Sequence, residues 1–248
     1  MTNEELLSKA KVLTILRTGQ KLEPEYIEFM RTHPHYIIRT HEQYDDWVNN
    51  EHHLTTNFLF KTVLPNLADF MGFEIDWAKY KWVKNITPEG HDVSYYEPID
   101  PGHYNIWCFT IGKGVYGEYS ILRYSPYIGE YVIQGDFAEE FENVVGITDY
   151  HKLVAFPHMT FKITNEREHN GKKLCISGDS QMIPLIPFLA TIYNEVWFLD
   201  SRRENVSLKK NWENVVFDDV LIAAPIIPIV RLENWIYPFE KFTMHNLR

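Results

Sequence analysis

The residues whose types suit covalent chemistry fall in two short runs. One is Gly178-Asp179-Ser180, which follows the apolar stretch Leu174-Cys175-Ile176-Ser177. The other is Glu51-His52-His53, which stands just ahead of an apolar segment beginning at Leu54. A serine hydroxyl is a weak nucleophile at neutral pH, so Ser180 needs a positioned base, usually a histidine oriented by a carboxylate. The only histidine after Ser180 is His245, and Phe242 stands three residues before it, so the downstream side offers no carboxylate-histidine pair. Upstream, an extended chain would put Glu51 and His53 on one side, because strand side chains alternate with period two. That carboxylate could orient the His53 imidazole, and chain order is no obstacle, since triads are defined by geometry. Two plainer readings stand beside this one. Ser180 could simply cap a following helix, and His52 and His53 could be hydrogen-bonded histidines at the surface or core edge. Asp179 is expected to bond backbone N–H groups around the turn. Asp149, His151 and His158 are a second source of a base, whereas His33, His35 and His41 match no common metal-ligand spacing.

Elements must hold these runs in place. The chain reads as a strand over residues 174–177, a helix over 184–193 and a second strand over 195–200. A strand-turn-helix-strand series implies a parallel sheet with right-handed crossovers. In such sheets reactive groups gather at the carboxyl ends of the strands, where Ser180 would sit. A third strand is predicted over 219–224. Apolar spacing predicts helices over 3–17, 25–31 and 55–71. The last has Thr55 or Thr56 as its N-cap, Gly72 as its end and a kink at Pro65. Residues 76–137 are aromatic and β-rich, broken by Pro and Gly, and read as a strand-rich insertion within one domain spanning 1–248.

Taken together, these runs resemble the SGNH hydrolase-like superfamily, in particular its DHHW branch, which is similar to the alginate O-acetyltransferase group. Glu51-His52-His53-Leu54 is similar to that branch's Asp-His-His-Trp segment, with Glu51 in place of the Asp and Leu54 in place of the Trp. Gly178-Asp179-Ser180, Ile186-Pro187-Phe188-Leu189 and Glu195-Val196-Trp197-Phe198-Leu199-Asp200-Ser201-Arg202 are similar to its Gly-Asp-Ser block, Pro-Phe-Leu helix and strand ending in Asp and Arg. Phe217-Asp218-Asp219-Val220-Leu221-Ile222 resembles its next strand, and Tyr116-Gly117-Glu118-Tyr119 a Tyr-Gly-Ser element. The resemblance spans residues 51–230. It implies a flavodoxin-like, SGNH-type α/β sheet flanked by helices. It also implies acyl transfer with Ser180 as nucleophile, His53 as base and Glu51 as orienting acid. The backbone N–H of Ser180, with Gly117, would face the oxyanion, and Asp179 and His52 would support the site from behind. No metal and no cofactor is implied. The expected partner is a carbohydrate or polysaccharide together with an acyl donor, in O-acetylation or deacetylation. The alternative is a carbohydrate-related module that keeps the fold without the catalysis.

Bulk properties bound the remaining possibilities. The 248 residues are 45 % hydrophobic and 23 % charged, a globular composition long enough to bury a substantial core. The net charge of −10 argues against nucleic acid as partner, because phosphate binding needs a basic footprint. Cys108 and Cys175 provide neither a disulfide framework nor a metal spacing, and both lie in apolar, strand-like runs. The apolar run over 220–230 is interrupted by Pro225 and Pro228 and is too short to span a bilayer. The acidic start, Met1-Thr2-Asn3-Glu4-Glu5, is unlike a signal peptide. As written the chain is therefore expected to be a cytoplasmic protein, or else a domain of a longer one. The 15 % aromatic share is expected mainly to fill the core, with some rings free to line a sugar-binding cleft. No oligomeric state is implied.

Overall fold

The computed structural model describes residues 3–17, 19, 21–22, 24–40, 54–86, 92, 94–100, 103–104, 106–110, 113–114, 117–118, 121–124, 131–133, 161–179, 181–200 and 215–225. Residues 3–17 do not form one helix. Helix α1 (Asn3–Lys9) gives way to strand β1 (Ala10–Arg17), whose residues from Val12 to Leu16 are all buried. Such burial on both faces is what a central parallel strand requires, and it removes the alternation that would have marked a strand. The β-branched Val12, Thr14 and Ile15 suit the pleated, buried surface they occupy.

After helix α2 (Pro24–Arg31), strand β2 (His35–Thr40) lies parallel to β1, with Val12 opposite His35. Later in the chain come β10 (Phe161–Asn165), β11 (Lys173–Gly178), β12 (Glu195–Asp200) and β13 (Asp219–Pro225). β13 inserts between β1 and β11, parallel to both, and β12 flanks β11 on the other side, also parallel. Among the described residues the parallel part of the sheet therefore runs β2-β1-β13-β11-β12. Counted from β12, this is β12-β11-β13-β1-β2. With β11 counted as strand one, it is the flavodoxin-like order 2-1-3-4-5. The two N-terminal strands fill places four and five, so the familiar arrangement is built from a rotated chain order.

β10 continues the sheet antiparallel to β12. β5 (Ile106–Thr110), β8 (Ile121–Tyr124) and β9 (Tyr131–Ile133) then extend it, each antiparallel to its neighbour. The strand-rich insertion thus grows out of the main sheet. Two small antiparallel pairs complete it: β3 (Tyr80–Val83) with β4 (Tyr95–Pro98), and β6 (Lys113–Gly114) with β7 (Gly117–Glu118).

Strand alternation splits the core into two layers. One sheet face presents Val12, Cys175, Trp197, Leu199, Val220 and Ile222 to Leu6 of α1 and to Tyr26 and Met30 of α2. The other presents Leu13, Ile15, Ile176, Val196, Phe198 and Ala223 to the segment that begins at Leu54. That segment comprises α3 (Thr56–Phe58), a π-helical turn (Leu59–Val63) and α4 (Leu64–Met71). The Thr55 hydroxyl accepts the Phe58 N–H and caps α3. Pro65, which has no N–H to give, lies in the first turn of α4 directly after the π turn, so the expected disruption takes the form of a register change. Gly72 ends α4 in the left-handed region, at φ 80° and ψ 38°, with its N–H donating to Ala68. The helix predicted over 184–193 is shorter: a 3₁₀ turn (Ile183–Leu185) followed by α5 (Ile186–Leu189). Pro184 and Pro187 each sit at the start of one of these turns, as the loss of a donor dictates.

Candidate active site

The orientation of the α3–α4 segment decides what meets the end of β11. The Lys11 ammonium, near the amino end of β1, donates to the carbonyls of Phe70 and Met71 at the C-terminus of α4, both at 3.1 Å. The segment therefore runs antiparallel to the strands, and its beginning, at Leu54, comes up to their carboxyl ends. This is where β11 stops. β11 and β13 also flank the point at which the strand order reverses, the usual ligand crevice of an open α/β sheet.

β11 closes on Gly178, opposite Asp200 of β12. A Cβ placed there would lie 3.3 Å from the Phe198 ring and 3.4 Å from Cγ of Met182, so glycine suits the crowded exit. Asp179, 3 % exposed, then holds the turn: its Oδ1 accepts the Gln181 N–H at 2.9 Å, and its carbonyl accepts the Met182 N–H at 3.1 Å. This Asx-type turn is built by a short side chain bonding the backbone two residues on.

Gln181, 1 % exposed, reaches across to the other segment. Its Oε1 accepts the N–H of Leu54 at 3.3 Å, joining positions 127 apart in the chain. Beyond Leu54, the Thr56 hydroxyl donates to the carbonyl of Asp92 at 2.9 Å, and Asp92 Oδ1 accepts the Ser94 N–H at 2.8 Å. The first turn of α3 is thereby tied to the insertion as well as to the β11 turn.

Ser180, Glu51, His52 and His53 lie outside the described residues, as do His41, Asp149, His151 and His158. Gly117 opens β7 and pairs with Gly114 of β6. What the described residues bring together is the pair of flanks: Leu54, which follows His53, and Gln181, which follows Ser180. The sequence reading passed over Gln181. Its signal was present, because a lone primary amide heading the apolar run from Met182 to Ala190 must be hydrogen-bonded if that run is buried.

Other titratable groups serve the fold. His33 has Nδ1 2.9 Å from the Phe29 carbonyl and Nε2 3.2 Å from the Leu7 carbonyl, which ties α2 to α1. Among the described residues no three His, Cys, Asp or Glu side chains gather to hold a metal. Cys175 is fully buried within β11, and burial pushes its thiol far up, so the reactive thiolate is suppressed. Tyr26 is pushed up to about 12 by burial, against the opposing hydrogen bond with Thr14 at 2.7 Å, and stays neutral. Glu195 sits at the opposite end of β12 from the Gly178 turn. Burial works to raise its pKa, but hydrogen bonds from Lys173 and Trp197 and the charges of Lys173 and Lys162 outweigh burial and lower it. Of the aromatic residues, Phe60, Phe188, Tyr193, Phe198 and Phe217 are core, while Trp77 is 40 % exposed. No helix among the described residues is long and apolar enough to cross a membrane.

No family model matches the chain, and no curated protein matches it. Solved structures do. Bacillus cereus PatB1 with a sulfonyl adduct is similar at TM-score 0.53 and 15 % identity, over 90 % of this chain and 82 % of that one. A DHHW family protein from Eubacterium siraeum is similar at TM-score 0.53 and 14 % identity, over 95 % of this chain and 85 % of that one. At this identity the likeness is one of fold, and it extends over nearly the whole chain.

Proposed function

We propose that this protein transfers an acyl group to or from a carbohydrate hydroxyl, with Ser180 as nucleophile, His53 as general base and Glu51 orienting the imidazole. The observation that carries the reading is the Leu54–Gln181 hydrogen bond at the carboxyl end of β11. Ser180 is bonded covalently to Gln181 and His53 to Leu54, the two ends of that link, and a trans peptide keeps neighbouring Cα atoms about 3.8 Å apart. The shared fold with a DHHW family protein and with PatB1, captured as a sulfonyl adduct, supports the same assignment.

In this scheme the Ser180 hydroxyl oxygen attacks the acyl carbonyl carbon while the imidazole takes the hydroxyl proton. The carbonyl oxygen becomes an oxyanion facing the Ser180 backbone N–H, with Gly117 as a further donor. Collapse expels the donor alcohol, which receives the proton from the imidazolium, and leaves an acyl-serine ester. A sugar hydroxyl, or water in the hydrolytic variant, then gives its proton to His53 and attacks the acyl carbon; the bond to the Ser180 oxygen breaks, and that oxygen takes the proton back from the imidazolium. Asp179 shapes the turn through its bond to the Gln181 N–H, and His52 adjoins the base. The base contributes typically about 10²–10⁴-fold and one oxyanion donor about 10²–10³-fold.

The test is acetyl release from a chromogenic acetyl ester by the wild type, Ser180→Ala and His53→Ala. Loss of at least about 10²-fold in both variants is expected; an undiminished rate in Ser180→Ala overturns the mechanism. The second reading, a non-catalytic carbohydrate-related module, is motivated by Glu51 and by the fully buried Leu54, which stand where the DHHW segment has Asp and Trp. It predicts glycan binding with no labelling of Ser180 by a fluorophosphonate, and labelling at Ser180 rejects it.

A further inference from the structure

We infer that Gln181 is a positioning residue, whose side-chain amide sets the register of the turn after β11 against the chain entering α3 and so governs the rate of the proposed acyl transfer. The inference rests on that reading of the site.

Gln181 is held from two sides. Its backbone N–H donates to Asp179 Oδ1 at 2.9 Å, and its side-chain oxygen accepts the Leu54 N–H at 3.3 Å. The amide is nearly inaccessible to water and is followed by nine buried apolar residues, from Met182 to Ala190. An amide in such surroundings is disfavoured unless hydrogen-bonded, so packing alone gives no reason for glutamine here.

Nor does the docking of the α3–α4 segment require it. Leu54, Phe58, Leu59, Phe60, Val63, Leu64 and Leu67 bury that segment against the sheet, and Lys11 fixes its far end. Those apolar contacts are non-directional and single out no particular group at the Asp179 turn. A hydrogen bond is lost within a few tenths of an ångström and a few tens of degrees, so the Gln181 amide is a directional contact between the entry to α3 and the Asp179 turn, at the opposite end of the segment from the Lys11 bonds. A site whose parts come from two such segments is sensitive to that setting: a misplacement of about 1 Å can lower a rate about 10²-fold.

The experiment compares wild type, Gln181→Met, Gln181→Glu and Ser180→Ala on the chromogenic acetyl ester. Methionine keeps the length and removes the acceptor. We expect kcat to fall about 10–100-fold with KM within about twofold of wild type, because the bond aligns groups already in place and does not hold substrate. Glutamate restores the acceptor and much of the rate. It also brings a second titrating group beside the proposed base, so the acid limb of the pH–rate profile moves. Wild-type kcat in Gln181→Met, with Ser180→Ala inactive, overturns the inference and leaves the catalytic reading standing. Wild-type activity in Ser180→Ala removes both. If Gln181→Met does not fold, Gln181→Glu carries the test, and an unmoved acid limb overturns the inference.

Discussion

Gly178 is the point at which fold and proposed chemistry press hardest on each other, and substitution there separates the two. An added methyl group would stand 3.3 Å from Cε2 of Phe198, 3.4 Å from Cγ of Met182 and 3.5 Å from the carbonyl oxygen of Ala223. Ordinary carbon–carbon contact lies at about 3.5–4.0 Å, so the neighbours must give by a few tenths of an ångström. Met182 is unbranched and can swing aside, whereas the Phe198 ring is wholly buried in β12 and can yield only by moving the strand. Overpacking typically costs about 1–3 kcal/mol, and so small an overlap belongs at the low end. Replacing glycine in an extended strand also restricts the unfolded chain, which offsets about 0.4–1 kcal/mol. The net loss for Gly178→Ala is then at most about 1 kcal/mol, a fall in Tm of about 2–4 °C for a chain of this size. Activity should suffer more, because with Phe198 unable to yield, the backbone at Gly178 shifts instead, and it leads directly into the Asp179 turn. A fall of about 10–100-fold in acetyl-ester turnover is expected beside that small change in Tm. Gly178→Val adds two further methyl groups in the same space and should lower stability by more than about 3 kcal/mol. Urea unfolding and ester hydrolysis on the same preparations make the comparison. A valine variant as stable as wild type would refute the packing argument, and an alanine variant with unchanged turnover would refute the link between this glycine and the site.

Two further predictions follow from the core and its charges. Phe188 packs its ring against Phe60, Tyr80, Trp77 and Tyr96, with centroids 4.7–6.3 Å apart, so Phe188→Ala should cost about 3–5 kcal/mol in urea unfolding. A loss below about 1 kcal/mol would mean that the cluster is not packed as described. Glu195 has a lowered pKa in the folded protein, so its contribution is present above the ordinary glutamate value and is lost as pH falls through the depressed one. The Glu195→Gln variant should therefore show a shallower loss of stability below about pH 4.5 than wild type, and parallel acid limbs would contradict this.

How much of this was legible beforehand depended on the range of the interaction. Strands β11, β12 and β13 fell close to their expected bounds, because each is a short apolar run closed by turn residues. The Thr55 cap and the Gly72 terminus of α4 were equally plain, since each depends only on residues within one turn. β1 was misread as helix and β2 was missed. The first is buried on both faces and so has no alternation; the second combines exposed His35, Tyr36 and Arg39 with buried Ile38 and Thr40 at the edge of the parallel strands. Within the candidate site, the Gly178-Asp179 turn was readable from its composition, but Gln181 was not singled out, because its partner lies 127 residues away.

Local chemistry is enough to specify a carboxylate at Asp179 that bonds the next turn, a capped helix entry at Thr55 and apolar runs of the right length. Each is a matter of sterics or hydrogen bonding between near neighbours. That β1 and β2 complete the far side of a sheet begun by β11 to β13, and that the entry to α3 faces the exit of β11, emerges only when the whole chain packs. Those outcomes follow from burying both faces of one sheet at once, a condition on the whole chain that no window of sequence contains.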